Sequence, residues 1–249
     1  FGLTDRGIIA PGKIADFCVL DSNERFAIRD VYKEGIRADT ILPVDDRGPK
    51  IESPPFVCTF PEEKDLELPD GLLRVIGMVP GEILTTSLAL PKTERSVQKI
   101  VCVDRYRGEG FGVGLLKGMN MAKGAIATSI SHDAHNIIAT GVTDEEILRA
   151  VHAVADEGGG MAVVIGDRVT ILPLPCCGIM TYKPFEKVCY DMEILQTELA
   201  RTGAVETAFM CLSFMALTVV PHLKITPRGL FDGDLFADVP LRAGNAGIL

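Results

Sequence analysis

The chain has 249 residues, of which 47% are hydrophobic and 24% are charged, and its formal net charge is −9. This length and this apolar fraction are enough for one large folded domain or two smaller ones. The acidic balance excludes a general binder of nucleic acid, because no surplus of basic residues is present to neutralise a phosphate backbone.

Cysteine usage and hydropathy predict a cytoplasmic protein without a membrane segment. The seven cysteines are odd in number and form no Cys-x-x-Cys motif, so we expect free, mostly buried thiols. The adjacent pair Cys176–Cys177 is interpreted as tightly packed, with a reactive dithiol as the alternative. The longest apolar stretch, residues 208–220, is shorter than the about 20 residues that span a bilayer. Because residue 1 is Phe, we expect a fragment of a longer chain.

In chain order, the first predicted element is a small β unit over residues 1–47, where short β-type runs alternate with turn residues. Residues 48–70 contain five prolines and the acidic run Glu62–Asp70. Prolines exclude an interior helix or a central strand, so this segment is either a linker or an ordered edge segment. The acidic run is interpreted as a solvated face.

Residues 71–249 predict a mixed α/β domain with β-hairpins and three helices, which makes the fold class α+β. Strands are predicted at 72–78, 99–103, 124–131 and 137–140. Thr143 and Glu146 have the spacing of a capping box, in which each side chain bonds the other residue's backbone amide. The three glycines from Gly158 end that helix.

Two further helical segments follow a hairpin that is predicted around Gly166–Asp167. The clearest helix runs from Pro184, placed in its first turn, to Thr202, with Gly203 suited to the position after its end. Residues 205–217 are apolar nearly all round, which predicts burial in the core or in a subunit interface.

The segment Ser131–Asn136, Ser-His-Asp-Ala-His-Asn, is the first candidate site, because it sets polar groups within apolar neighbours. Polar groups are costly to bury without partners. They could contact a substrate or support groups that do, bind a metal, or form a structural polar cluster. A metal site needs further ligands, and neither His152 nor His222 has a suitable spacing. The candidate residues are His132, Asp133, His135 and Asn136.

The second candidate is the glycine-rich segment Arg105–Gly114. Its Gly-x-Gly-x-Gly spacing lacks the dinucleotide fingerprint, which favours a tight turn after a strand. The candidate ligand-orienting residues are Arg105, Arg107 and Glu109. The guanidinium fork of each arginine can hold a planar polar group. The alternative is that they are ordinary surface residues.

Four segments resemble a known enzyme family. Gly7–Asp21 resembles the place where an amidohydrolase-superfamily chain leaves its metal-bearing barrel and returns to its β-sandwich. Arg74–Gly81, Lys123–Asn136 and Leu223–Asp232 together resemble the C-terminal region of bacterial adenine deaminases. The resemblance covers essentially the whole chain, with Ala134 as one departure, since a serine is expected there in many relatives.

This resemblance implies hydrolysis of adenine to hypoxanthine and ammonia by a water that iron or manganese activates. The metal would lie in an N-terminal barrel that is absent from this chain, so no metal is expected here and the chain alone is expected to be inactive. His132, Asp133, His135 and Asn136 would line or close the purine pocket. Residues 1–47 would end the β-sandwich and 71–249 would form the C-terminal domain.

Expected partners are adenine, the missing barrel and further copies of the chain, with no nucleic acid and no membrane. Two alternatives to an enzyme part remain open. The chain could be a non-catalytic structural or oligomerisation module, with residues 205–217 as its interface. It could also be a free-standing metal hydrolase that uses the histidine motif.

Overall fold

The computed structural model describes residues 2–41, 50–51, 53–79 and 81–244. The chain divides into two compact units, Phe1–Lys50 and Ile51–Leu249. The predicted domain boundary at residue 47 lies outside the described residues. In these described residues, the mixed α and β content with three helices confirms the predicted α+β class.

The first unit is a three-stranded antiparallel sheet in the order β1-β2-β3. Phe17 and Tyr32 are register partners, and their rings stack with centroids 4.7 Å apart. None of the described residues of this unit is buried. The sheet therefore has no apolar core of its own. Its strands are β1 (Phe17–Ser22), β2 (Ala27–Lys33) and β3 (Ile36–Arg37).

The second unit is built on an eight-stranded mixed sheet in the order β11-β10-β8-β9-β6-β7-β4-β5. All neighbours are antiparallel except β4 and β7, which are parallel. The strands are β4 (Leu72–Met78), β5 (Thr85–Pro91), β6 (Val97–Val103), β7 (Phe111–Lys117), β8 (Ala125–Thr128), β9 (Ile137–Gly141), β10 (Gly160–Ile165) and β11 (Arg168–Pro173).

Three helices and a small sheet cover the large sheet. The helices are α1 (Asp144–Asp156), α2 (Phe185–Thr202) and α3 (Ala208–Phe214). The small antiparallel sheet consists of β12 (Leu223–Thr226), β13 (Gly229–Asp232) and β14 (Ala237–Asp238).

Alternate residues of β6 belong to two different apolar clusters, because successive side chains of a strand point to opposite faces. Val101 and Val103 pack in the cluster of α1. Ile100 and Cys102 pack in the cluster that contains residues of α2, α3, β12 and β13. The large sheet therefore lies between α1 on one face and the other helices with the small sheet on the opposite face.

Residues 53–70 lie in the second unit and pack against the α1 side of its core. Phe56 and Phe60 contact this cluster, and Leu66, in a short 3-10 helix (Glu63–Leu66), is fully buried there. Most of the acidic side chains of this segment remain exposed. Among the described residues, no helix is long and apolar enough to cross a membrane.

Several local predictions hold and others need correction. All seven cysteines are free as predicted, but only Cys102 and Cys176 are buried. The strand predicted over 124–131 ends at Thr128, so the polar motif lies in a loop. Pro184 is the N-cap of α2 and not part of its first turn. Helix α3 is shorter than predicted, and its Met210 is exposed.

Candidate functional site

The loops at one end of the strands of the large sheet form the candidate site. Register pairs join Val103 to Ile137, and Met161 to Thr128. The loops that follow β6, β8 and β11 therefore emerge at the same end of the strands. They contain the Arg105 segment, the Ser131–Asn136 motif and the Cys176–Cys177 pair.

The motif folds into a tight turn that brings its two imidazoles together. The His135 amide donates to the Ser131 carbonyl at 2.6 Å, and the Ser131 amide faces His135 Nδ1 at 3.4 Å. His135 has φ 52°, in the left-handed region. As a result, the His132 and His135 ring centroids lie 5.7 Å apart. A spacing of three residues allows this only in a turned segment, which is what the structure contains.

Helix α3 anchors one end of the turn. The His132 amide donates to the Ser213 carbonyl at 2.9 Å, and the His132 ring packs on Phe214 with centroids 5.0 Å apart. Both imidazoles are half-buried, whereas Asp133 and Ala134 between them are exposed. The two rings can therefore reach a ligand at the surface of this unit without a rearrangement of the core.

The surroundings of His135 favour its neutral form. Burial lowers the pKa of His135, the charges of His132 and Arg105 lower it further, and Asp133 acts in the opposite direction. A neutral imidazole carries one donor and one acceptor. Because His135 Nδ1 accepts from the Ser131 amide, Nε2 carries the proton and can donate to a ligand.

Two buried polar atoms of the motif have no hydrogen-bond partner. They are Ser131 Oγ and Asn136 Oδ1, and Gln98 Oε1 is the only other such atom in the described part of the chain. Leaving a buried polar group unpaired costs about 1–3 kcal/mol. Two of these three atoms therefore lie in the same turn as the two imidazoles. Asn136 belongs to the predicted set, whereas burial singles out Ser131.

Arg105 connects the motif to the loop after β11. Its Nε donates to the His135 carbonyl, and one terminal nitrogen donates to the Tyr106 hydroxyl at 2.8 Å and the Cys177 carbonyl at 3.0 Å. The Tyr106 hydroxyl donates in turn to the Ala134 carbonyl at 2.7 Å. Arg105 is buried, and its guanidinium lies 4.5 Å from the centroids of the Phe56 and Tyr106 rings.

The other two candidates of the glycine-rich segment lie at the surface. Arg107 and Glu109 are both exposed and form an ion pair with each other at 3.4 Å. The structure does not bring them into contact with the histidine motif through any hydrogen bond among the described residues. Their role in orienting a ligand stays a prediction.

Asp104, which sequence reasoning missed, organises this segment. Burial opposes ionisation of Asp104, but the backbone amides of Glu109, Arg107 and Tyr106 outweigh it and hold the pKa of the carboxyl below its usual range. An Asp directly before a glycine-rich turn is the signal that could have identified it, because Asp side chains commonly bond amides of the following residues.

The described residues do not fit a metal centre. None of their His, Cys, Asp and Glu side chains form a group of three or more that could hold a metal ion. His152 packs on Phe60 at a centroid distance of 4.3 Å, and His222 faces Asp234. The two remaining histidines are therefore engaged elsewhere.

Comparison with known proteins identifies the family. A model of the adenine deaminase C-terminal domain matches residues 82–237. The chain belongs to this family. The adenine deaminase of Methanoculleus marisnigri is 44% identical over 252 residues, which are 97% of this chain and 48% of that protein. The adenine deaminase of Methanoregula boonei is 44% identical over 97% of this chain and 44% of its own length.

More distant members show the same partial coverage. The adenine deaminase of Desulfatibacillum aliphaticivorans is 38% identical over 97% of this chain and 46% of its own length. The chain thus spans less than half the length of the curated adenine deaminases that it matches. The predicted resemblance to the adenine deaminase C-terminal region is confirmed by the family match.

Proposed function

We propose that this chain is the C-terminal part of an adenine deaminase that hydrolyses adenine to hypoxanthine and ammonia. The observation that carries the proposal is the alignment of 97% of the chain with less than half of proteins named adenine deaminase. The match to a family described as the C-terminal domain of that enzyme supports the same assignment.

The motif Ser131–Asn136 is proposed to line or close the purine pocket. A purine presents donors and acceptors at fixed positions, so its recognition requires directional polar groups that are shielded from water. The two half-buried imidazoles supply such groups within one turn, in which Ser131 Oγ and Asn136 Oδ1 are buried. The exposed Asp133 lies at the rim of this turn.

The metal of the proposed enzyme, iron or manganese, is assigned to the part of the protein outside this chain. Such a metal would supply an activated water at neutral pH. Because the described residues contain no group of metal-ligating side chains, none of them is assigned to hold it. The residues of the motif are proposed to bind and orient adenine and to exclude water from it.

The test uses the full-length protein that carries this chain. We expect His132→Ala and His135→Ala each to lower kcat/KM for adenine by about tenfold or more, because each removes a directional contact to the purine. His152→Ala is the matched control, since this histidine is exposed on α1, and it should retain full activity.

Thermal unfolding of the three variants separates a loss of contact from a loss of fold. If the His132 and His135 variants unfold like the parent protein and keep its kinetics, the motif is a structural cluster. An oligomerisation module, the alternative from the sequence, would instead show unchanged kinetics together with an altered sedimentation coefficient.

A further inference from the structure

We propose that Arg105 is a positioning residue, which holds His135 in place for adenine by tying its turn to the Cys176–Cys177 loop. The inference rests on the proposed function in one respect, namely that His135 contacts the substrate. It changes the role expected for Arg105 from the sequence, because the guanidinium bonds the protein's own loops.

Arg105 lies in an enclosed environment, unlike an arginine at the protein surface. The residue is 6% exposed, and its guanidinium is flanked by the rings of Phe56 and Tyr106. A Cβ atom added to Gly178 would lie 2.5 Å from a terminal nitrogen of Arg105 and 2.8 Å from Cζ of Phe56, so alanine there would displace one of these side chains. Three separate segments are therefore shaped around this side chain.

The conformation of His135 explains why it needs a support. A residue with a Cβ atom is disfavoured in the left-handed region, because its Cβ comes too close to the following carbonyl oxygen. At this position Arg105 Nε binds the His135 carbonyl, while Tyr106 binds the preceding carbonyl of Ala134. Both bonds stabilise the turn that brings the two imidazoles to 5.7 Å.

Lysine cannot reproduce this arrangement. A guanidinium presents its donors in a rigid planar fork and stacks on aromatic rings, whereas an ammonium is a compact point charge. Arg105 uses the fork to reach the carbonyls of His135 and Cys177 at once. Arg105→Lys therefore keeps the positive charge but loses the geometry, and Arg105→Met loses both.

The two variants differ in their effect on His135. The charged and titratable groups around it are His132 and Asp133 of its own loop and Arg105, beside the Tyr106 hydroxyl, of the loop after β6. Positive charge nearby disfavours the imidazolium. Removing the charge of Arg105 consequently raises the pKa of His135, whereas replacing Arg105 by lysine leaves the charge in place.

The experiment measures adenine deamination by full-length protein across pH. We expect Arg105→Lys to lower kcat by about tenfold or more, since small misplacements of a substrate-contacting group are costly, with less effect on KM. Arg105→Met should lower kcat similarly and move the acidic limb of the profile to higher pH. Added guanidinium ion should restore part of the activity of Arg105→Ala.

A glycine pair perturbs the same contact from the opposite side. Gly178→Ala places a methyl group against Arg105 and should lower kcat, whereas Gly166→Ala should not. Both glycines have positive φ, 76° and 56°, so both substitutions carry backbone strain, but nothing lies within 4 Å of the added atom at Gly166. The pair therefore isolates contact with Arg105 and with the Phe56 ring that flanks it.

A double-mutant cycle separates failure of this inference from failure of the proposed function. If Arg105 acts through His135, the double variant Arg105→Lys/His135→Ala is no slower than His135→Ala. Additive losses, or parental kinetics for Arg105→Lys, would overturn the positioning role. Parental kinetics for His135→Ala would instead overturn the proposed role of the motif itself.

Discussion

At the scale of single residues, Lys224 is the most unusual side chain of the core. It is fully buried on β12, and in the described part of the chain its ammonium has one hydrogen bond, at 3.3 Å to the Ile83 carbonyl. Burial lowers the pKa of Lys224 to about 8. A buried ammonium without a carboxylate partner destabilises the fold wherever it remains charged.

This residue predicts a pH dependence of stability. An unfolded lysine has a pKa of about 10.4, so below pH 8 Lys224 is charged in both states and its penalty is fully present. As pH rises from about 8 to 10.4, the folded state loses the proton first and the penalty disappears. Lys224→Met should therefore stabilise the chain by about 1–3 kcal/mol at pH 7, and the gain should shrink towards pH 10.

Urea unfolding at several pH values measures this difference. Lys123→Met is the matched control, because Lys123 is exposed, and it should leave the unfolding free energy nearly unchanged at every pH. A stabilisation by Lys224→Met that stayed constant from pH 7 to pH 10 would show that the charge of Lys224 is not its source.

At the scale of elements, α1 shows how a local signal is used in the tertiary structure. Thr143 caps the helix as predicted, accepting from the Glu146 amide at 3.3 Å. The other predicted bond of the capping box, from the Thr143 amide to the Glu146 carboxylate, is wrong. The Glu146 carboxylate accepts from the Thr143 hydroxyl at 2.8 Å and from the Gly166 amide at 2.9 Å, so it joins the helix to the β10–β11 hairpin.

The cap gives a second stability prediction. Thr143→Ala should destabilise the chain by about 1 kcal/mol, because it leaves an amide of the first turn without its acceptor and removes a bond to Glu146. Thr143→Ser keeps the hydroxyl and should remain close to the parent. Chemical denaturation measures both, and equal stability of the alanine and serine variants would show that the hydroxyl has no role.

At the scale of the whole molecule, the first unit has little apolar burial of its own. None of its described residues is buried, and several large apolar side chains are exposed, namely Leu3, Ile8, Ile9, Phe26 and Ile28. The chain also spans less than half of the adenine deaminases that it matches. This coverage fits a chain that is part of a longer protein.

The proposed division of labour predicts the activity of the separate chain. Purified alone and supplied with iron or manganese, the 249-residue chain should release no ammonia from adenine, whereas the full-length protein should do so. Metal analysis of the same preparation should find no stoichiometric metal. Turnover of adenine by the chain alone would show that its own residues form a complete active site.

The sequence by itself determined the family of this protein and some of its elements. It did not predict β5, the strands of the small sheet, or β7, which begins at Phe111 within the segment interpreted as a tight turn. Alternating and helical periodicity, the Thr143 cap and the Gly203 stop signal are local, so they predict strands and helices within a few residues. The residue types of the motif were equally visible, because a cluster of polar groups among apolar neighbours is a property of the chain alone.

Only the tertiary structure decided which groups meet at the motif. Arg105 bonds carbonyls that are 30 and 72 residues away, at His135 and Cys177. These contacts depend on the strand order β10-β8-β9-β6, which brings the loops of distant strands together at one end of the sheet. Burial of Ser131 Oγ and Asn136 Oδ1 likewise requires the packed sheet and helix. Periodicity carries no information about such contacts, because it reports the face of an element and not its neighbour.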